Sequence, residues 1–183
     1  MKFPSVLMLI LLFLTIPVAA SETESQVDLI LTLDAASIDA VWDMHAIFRL
    51  GFEMRHQSGI GLKIPLSLTL DRSGGGEALL ESAVKLLCLP WSAGPFICIS
   101  LVRVCLFVGP YLPQERIHYL NELEFGYSWE FLPGWFVQPS ILLRDPSNGF
   151  PESHAYIQGL IPSYGRLRFC MEFGWNFATI ETE

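Results

Sequence analysis

The sequence is short of charge, and of positive charge above all. Only 16% of its 183 residues are charged, and 11 Lys and Arg stand against 19 Asp and Glu, which gives a net charge of −8. We expect no nucleic-acid partner, because phosphate binding needs a basic surface that this composition does not supply. At 51% hydrophobic residues and a mean hydropathy of +0.41, the chain is also too apolar to be disordered.

Motifs that specify a reaction are missing as well. The four histidines show neither an HExxH pattern nor a metal-binding i, i+4 pair, and they are His45, His56, His118 and His154. There is no G-x-S-x-G elbow, and the glycines at 74–76 are typical of a flexible loop rather than a phosphate site. We therefore expect a protein that is not an enzyme and has no cofactor or metal.

Long hydrophobic runs occur only at the N-terminus. Lys2 precedes an apolar run from Phe3 to Ile16, and small residues follow up to Ala20. This pattern predicts a secretory signal peptide over residues 1–20, and an uncleaved anchor is the alternative. The best later run, residues 96–109, is too short for a membrane helix and contains Arg103. Residues 21–183 are expected to form a single domain.

Alternation of apolar and polar residues dominates that domain. It is clearest over Ile60 to Asp71, Tyr119 to Phe131 and Leu167 to Phe177, where a period of two predicts strands. Five weaker segments complete a set of eight: Val27 to Asp34, His45 to Arg55, Glu77 to Leu89, Phe96 to Val108 and Trp135 to Arg144. The segment 77–89 also fits an apolar helical stripe, so strand and helix both remain open there.

Charged residues of these strands fall on one face only. Because a Lys or Arg facing lipid costs about 2 to 4 kcal/mol at the midplane, we expect this face to line the interior of a closed barrel. An eight-stranded barrel is just narrow enough for side chains to fill it, so acids and bases can pair across it. The predicted lumen-lining charges are Arg49, Glu53, Arg55, Lys63, Glu81, Lys85, Arg103, Glu122, Glu124, Glu130, Arg144, Arg166, Arg168 and Glu172.

Turn lengths favour a membrane barrel over a soluble one. Strands are joined by tight turns near Gly59, Ser92 to Pro95 and Gly134, and the alternate connections, such as Asp145 to Ser163, are mostly longer. Short turns at one rim and long loops at the other are typical of outer-membrane barrels. Aromatic residues near the short turns suggest an interfacial girdle, and they are Trp91, Phe96, Phe131, Trp135, Trp175 and Phe177. The alternative is a secreted, lipocalin-like barrel with an apolar core.

The last strand carries the most specific pattern, LRFCMEFGWNF. Through this strand and the eight alternating segments, the mature chain resembles the small eight-stranded bacterial outer-membrane barrels of the OmpW, OmpX and OmpA-transmembrane kind. The resemblance implies that this strand is read by the barrel-assembly machinery, through Leu167, Phe169, Met171, Phe173, Trp175 and Phe177. The chain departs from the class in one respect, because six residues follow the final aromatic.

The fold class expected is therefore all-β: a closed, antiparallel, eight-stranded, up-and-down transmembrane barrel. The resemblance implies export to the outer membrane of a diderm bacterium, contact with outer-membrane lipid, and a narrow passive conduit for small hydrophobic solutes. Inward apolar positions near the short-turn rim suit such a conduit: Leu87, Leu89, Ile97, Ile99, Leu101 and Phe136. The main alternative is a plugged barrel whose outer loops bind host or cell-surface partners.

Two further hypotheses concern chemistry. Some outer-membrane barrels are lipid-modifying enzymes with a His and Ser pair near the outer rim, and here His118 or His154 with Ser153 is the candidate pair. Four cysteines in an oxidising compartment permit disulfides, and Cys88 with Cys98 across one tight turn is the conceivable pair. The alternative is four free cysteines, including Cys105 and Cys170, acting as small apolar residues.

Overall fold

The strands follow the alternating segments of the sequence closely. The computed structural model describes residues 25–35, 45–71, 78–91, 93–108, 117–161 and 164–182. The strands are β1 (Ser25–Asp34), β2 (His45–His56), β3 (Ile60–Asp71), β4 (Ala78–Ala83), β5 (Lys85–Cys88), β6 (Gly94–Val108), β7 (Ile117–Leu132), β8 (Trp135–Arg144) and β9 (Leu167–Thr182). The predicted signal peptide at 1–20 and most of three predicted loops, at 36–44, 72–77 and 109–116, lie outside the described residues.

The sheet closes on itself. Strands pair antiparallel with their neighbours along the chain, if β4 and β5 are counted as one strand, and β1 also pairs with β9, with Leu33 opposite Phe173. β4 and β5 are two halves of one strand, interrupted at Val84, and both halves pair with β3 on one side and β6 on the other. The prediction of a closed, eight-stranded, up-and-down barrel is confirmed, and residues 78–88 are strand rather than helix.

Side chains alternate between an apolar outer face and a polar inner face. The outer face exposes more than thirty large hydrophobic residues, among them Leu31, Phe48, Leu66, Phe125 and Phe173. Tight turns join β2 to β3 and β7 to β8, where Gly59 and Gly134 adopt positive φ angles of 82° and 76° that favour glycine. No helix in the described part of the chain is long and apolar enough to cross a membrane.

A β-bulge in β6 reverses the face predicted for its first half. The pairing of β6 with β7 shifts between Ser100 and Arg103, so that Leu101 and Val102 both point outward. The prediction that Ile97, Ile99 and Leu101 point inward is therefore wrong. It assumed an unbroken alternation up to Arg103, whereas Leu101 is 83% exposed. Phe96, Cys98 and Ser100 face the lumen instead. Phe96 therefore does not belong to the outer aromatic girdle.

The predicted loop from Asp145 to Ser163 contains a helix, α1 (Pro151–Leu160). Pro151 lies in its first turn, where a missing N–H costs nothing, and Glu152 follows near the positive end of the helix dipole. His154 and Ile157 form its buried side. The turn before it depends on Asp145, whose Oδ1 accepts hydrogen bonds from the backbone N–H groups of Gly149 and Phe150 at 2.8 and 3.1 Å.

The final strand runs beyond the aromatic residues expected to end it. β9 continues to Thr182, and its last residues pair with the start of β1, with Ile180 opposite Val27. A register shift between Leu29 and Ile30 leaves Phe177 as an extra residue in β9. The segment that follows the apparent terminal signal is therefore part of the barrel wall.

Candidate functional site

Twelve charged side chains meet inside the barrel. Six are acids and six are bases, all buried, and they are Asp34, Glu53, Glu81, Glu122, Glu124, Glu172, Arg49, Arg55, Lys63, Lys85, Arg103 and Arg144. Alternation of strand residues directs all of them inward. Buried charges are tolerated only when they are paired and hydrogen-bonded, so equal numbers of the two signs are what a dry lumen requires.

Lys63 lies at the centre of the first group of ion pairs. Its Nζ is 2.8 Å from Glu172 Oε2, 3.1 Å from Glu124 Oε1 and 3.5 Å from Glu53 Oε1. These carboxylates stand on β9, β7 and β2, while Lys63 stands on β3. Lys85 from β5 joins the group through Glu124 at 2.8 Å. Glu53 is the residue opposite Lys63 on the neighbouring strand, whereas the pairs with Glu172 and Glu124 cross the lumen between strands that are not neighbours.

Arg103 organises a second group nearer the long-loop end. It pairs with Glu81 at 3.0 Å and with Glu122, while Lys85 Nζ lies 3.0 Å from Glu122 Oε2 and so joins the two groups. Arg49 pairs with Asp34 at 3.2 Å. Lys63, Lys85, Glu122 and Glu124 are each 2% exposed or less, so these four charged side chains are almost fully buried. The middle of the lumen is packed with side chains.

Of the fourteen charges predicted to line the lumen, eleven are buried in it. The other three lie towards the two ends. Arg168 is half-buried and contacts Asp34 at 3.4 Å, and Arg166 is exposed beyond the start of β9, where it donates to Asn148. Glu130 is exposed at the short-turn rim and accepts a hydrogen bond from the Gly134 backbone N–H at 2.9 Å.

Helix α1 packs against the inner wall of the barrel at the long-loop end. Ile157, Ile161 and Tyr164 pack against inward-facing residues of the wall, which are Leu79, Cys105, Phe107 and Leu120. We call these seven residues the outer cap. Tyr156 stacks on His118 with ring centroids 4.4 Å apart and meets Phe107 edge to face at 5.7 Å. This helix and its packing were not predicted from the sequence, although His154, Ile157 and Ile161 have the i, i+3, i+7 spacing of a helix face.

Polar contacts fasten the outer cap to the charges below it. The Tyr164 hydroxyl donates to Glu81 Oε1 at 2.7 Å, and the Arg144 guanidinium lies 3.8 Å from the centroid of the Tyr164 ring. Burial and the Glu81 carboxylate hold the pKa of Tyr164 well above its ordinary value, so the phenol remains a donor. The cap is thus joined to the ion pairs by a buried hydrogen bond.

The His and Ser pair proposed from the sequence is not assembled as a catalytic dyad. His118 is engaged in the stack with Tyr156, and His154 faces the Tyr164 ring at 5.9 Å. Within the described residues, the Nε2 atoms of both rings lack a hydrogen-bond partner. Burial and the positive charges of Arg166 and Arg144 lower the pKa of His154, against the opposing effect of Asp145. Both histidines serve the packing of the cap.

A cavity of about 370 Å³ opens at the opposite, short-turn end, and we call it the vestibule. Its floor is formed by Arg55 and Phe136, with the guanidinium 5.0 Å from the ring centroid. Leu87 and Leu89 contribute an apolar wall, as the sequence predicted. The remaining lining residues are polar or lie at the rim: Gln26, Asp28, His56, Gln57, Gly59, Ile60, Trp91, Glu130, Gly134, Asn176 and Thr179.

All four cysteines are free thiols. Cys88 and Cys98 do not form the cross-turn pair, because Leu87 is the residue opposite Cys98, while Cys88 lies opposite Ile97. Successive residues point to opposite faces of a strand, so Cys98 faces the lumen and Cys88 does not. The bulge in β6 is what turns Cys98 inward, because it adds one residue to the alternation that Arg103 sets.

Comparison with known proteins adds little to this geometry. No family model matches the chain, and no curated protein matches it. Among solved structures, the chain is similar to the outer membrane protein Ail of Yersinia pestis, whose backbone structure was determined in a phospholipid bilayer nanodisc. The identity is 9%, the match covers 85% of this chain and 100% of that one, and the TM-score is 0.43. So distant a likeness carries no inference about activity or partners.

Proposed function

We propose that this protein is an integral outer-membrane barrel with a closed lumen, which acts through the end that carries α1 and the long loops. The packed ion pairs carry this proposal, because a conduit needs a continuous path and the charged side chains in the middle of the lumen are almost fully buried against one another. The outward band of apolar side chains supports a lipid environment. The partners expected at the outer end are host or cell-surface ligands.

Conductance in planar lipid bilayers tests the closed lumen. Protein refolded in detergent is first checked for a gel band that shifts on boiling, which identifies a folded barrel. We expect no reproducible openings from the folded protein. Discrete, reproducible openings would favour the competing function, a narrow conduit for small hydrophobic solutes, which the apolar wall of the vestibule supports.

Labelling of single cysteines on intact cells tests which end faces outward. Gln158 is exposed on α1 and Gln57 is exposed in the turn between β2 and β3, so Gln158→Cys and Gln57→Cys mark the two ends. We expect a membrane-impermeant maleimide to label Gln158→Cys on intact cells and Gln57→Cys only after permeabilisation. The unsubstituted protein, with its four natural thiols, gives the blank. The reverse pattern would refute action through the α1 end.

A further inference from the structure

The walls of the vestibule differ in chemistry. Leu87 and Leu89 from β5 and the following residues form an apolar side. On the other side of the opening, β1 and β9 contribute Asp28, Asn176 and Thr179. A cavity with an apolar wall and a few convergent polar groups is the usual form of a small-molecule site. Its volume of about 370 Å³ falls in the range of such sites.

Arg55 on the floor does not set the charge of the vestibule. Its Nε and Nη2 donate to Glu53 Oε2 at 3.0 and 2.7 Å, and Nη1 donates to Ser128 Oγ at 3.3 Å. Glu53 also pairs with Lys63, and the group that Arg55 joins has as many acids as bases: Glu53, Glu124 and Glu172 with Arg55, Lys63 and Lys85. Asp28 and Glu130 remain as the acidic residues of the lining, so the vestibule attracts cations.

The polar side also offers acceptors to a ligand. The Thr179 hydroxyl donates to Asp28 Oδ1 at 2.7 Å, and Asn176 Nδ2 donates one N–H to Thr179 Oγ1 at 3.4 Å. Both of these hydrogen bonds stay within the wall. Asn176 Oδ1 is a buried acceptor without a hydrogen-bond partner among the described residues. A ligand that supplied several N–H donors and a positive charge would satisfy this wall.

We propose that the vestibule binds an organic ammonium ion, namely a primary amine carried on a small apolar body. The ammonium group has three donors and no acceptor, which complements Asp28 and Asn176. The apolar body packs against Leu87 and Leu89, where burial of its surface adds to the affinity. The site lies at the end opposite the outer cap, so it is independent of the function proposed for that end.

Three probes of similar size and different charge test the site: 2-phenylethylammonium, 2-phenylethanol and 3-phenylpropanoate. Binding is measured by isothermal titration to the protein in nanodiscs of zwitterionic lipid, with empty nanodiscs as the blank for partition into lipid. A pH of about 8 keeps the amine protonated. We expect the ammonium probe to bind at least about tenfold more tightly than the alcohol, and the carboxylate to bind least.

The double substitution Asp28→Asn with Glu130→Gln removes both charges while keeping the size of each side chain. We expect it to bring the affinity for the ammonium probe down to that of the alcohol. Glu152→Gln, at an exposed position on α1, is the matched control and should leave the affinity unchanged. A boiling-dependent gel shift shows that each variant is folded. Equal binding of the three probes, binding by none of them, or an unaltered affinity in the double variant would each overturn the proposal.

Discussion

At the scale of single residues, Lys63 shows how a charge can be stable inside this barrel. Its ammonium group is 1% exposed and lies within 3.5 Å of three carboxylates, so the cost of removing it from water is met by three ion pairs. Glu53 also pairs with Arg55, and Glu124 also pairs with Lys85. Loss of the cation would leave Glu172 without the ion pair that Lys63 provides.

Lys63→Met is therefore expected to be strongly destabilising. Removing one partner of a buried ion pair costs about 3 to 5 kcal/mol, because an uncompensated charge stays behind. The free energy of unfolding is measured by urea titration of the refolded protein in lipid vesicles. Adding Glu172→Gln to Lys63→Met should recover part of the loss, and Glu152→Gln should change stability by less than about 0.5 kcal/mol. A Lys63→Met variant as stable as the control would contradict the ion-pair assignment.

His154 links the outer cap to pH. Its ring is buried beside Tyr164, and Arg144 and Arg166 add positive charge nearby, so its pKa lies below the ordinary value of about 6.5. His154 therefore binds a proton less readily when α1 is packed on the barrel than when α1 has detached from it. The cap keeps its full stability above about pH 6.5 and loses stability as the pH falls below that value.

Titration of the His154 ring by NMR in detergent tests whether its pKa is lowered in the folded protein. We expect a midpoint below about 6.5, with increased hydrogen exchange of the α1 amides under acid conditions relative to strand amides of the same sample. His154→Gln should remove the pH dependence of that exchange. A midpoint above 6.5 would show that protonation favours the closed cap, and a midpoint at 6.5 would show that it has no effect on the cap.

At the scale of elements, the contact between β6 and β7 depends on a glycine. Phe96 lies opposite Gly126, and a Cβ added at Gly126 would stand 2.5 Å from Phe96 Cζ and 2.7 Å from the Pro139 carbonyl oxygen. Both contacts are shorter than real Cβ atoms tolerate. The Phe96 ring can therefore cover the neighbouring strand only because residue 126 lacks a side chain.

Gly126→Ala is expected to destabilise the barrel by about 1 to 3 kcal/mol, as overpacking does. Phe96→Leu in the same chain should relieve part of the loss, because it removes the ring atoms of the clash but not the contact with the carbonyl. Gly159→Ala on α1 is the control, since nothing lies within 4 Å of its added Cβ. Urea unfolding of the unsubstituted protein, the two single variants and the double variant gives the coupling free energy between positions 96 and 126. Additive effects of the two substitutions would contradict the predicted contact.

How far the sequence predicts this structure also differs between elements. β3 and β7 were predicted closely, because strict alternation signals a two-faced strand. The inward residues of β6 near Cys98 were predicted on the wrong face, because a bulge at Leu101 and Val102 adds one residue to the count and leaves no mark in composition. The α1 helix was missed because its segment was read as an outer loop. Ion-pair partners such as Lys63 and Glu172 depend on closure of the sheet, which no local pattern encodes.

At the scale of the whole molecule, the barrel reverses the usual arrangement of a folded protein. Charges fill its interior and large apolar side chains cover its exterior. In water such an exterior would aggregate, whereas in a bilayer it contacts lipid tails. Trp135 and Trp175 stack at 5.9 Å on the outer face near the short turns, where an interfacial girdle belongs.

Arginine placed at two heights on one strand tests this arrangement. Leu66 and Ile60 both point outward from β3, Leu66 near its middle and Ile60 at the short-turn rim. In a bilayer, Leu66→Arg should cost about 2 to 4 kcal/mol and Ile60→Arg about 0 to 1 kcal/mol, because the cost of a charge falls from the midplane to the interface. Urea unfolding in lipid vesicles measures both. If this face met water instead, both variants would be tolerated equally and would be more soluble without detergent. Equal costs at the two heights would therefore refute a membrane-spanning barrel, and a cost confined to Leu66→Arg would place the middle of β3 in the hydrocarbon core.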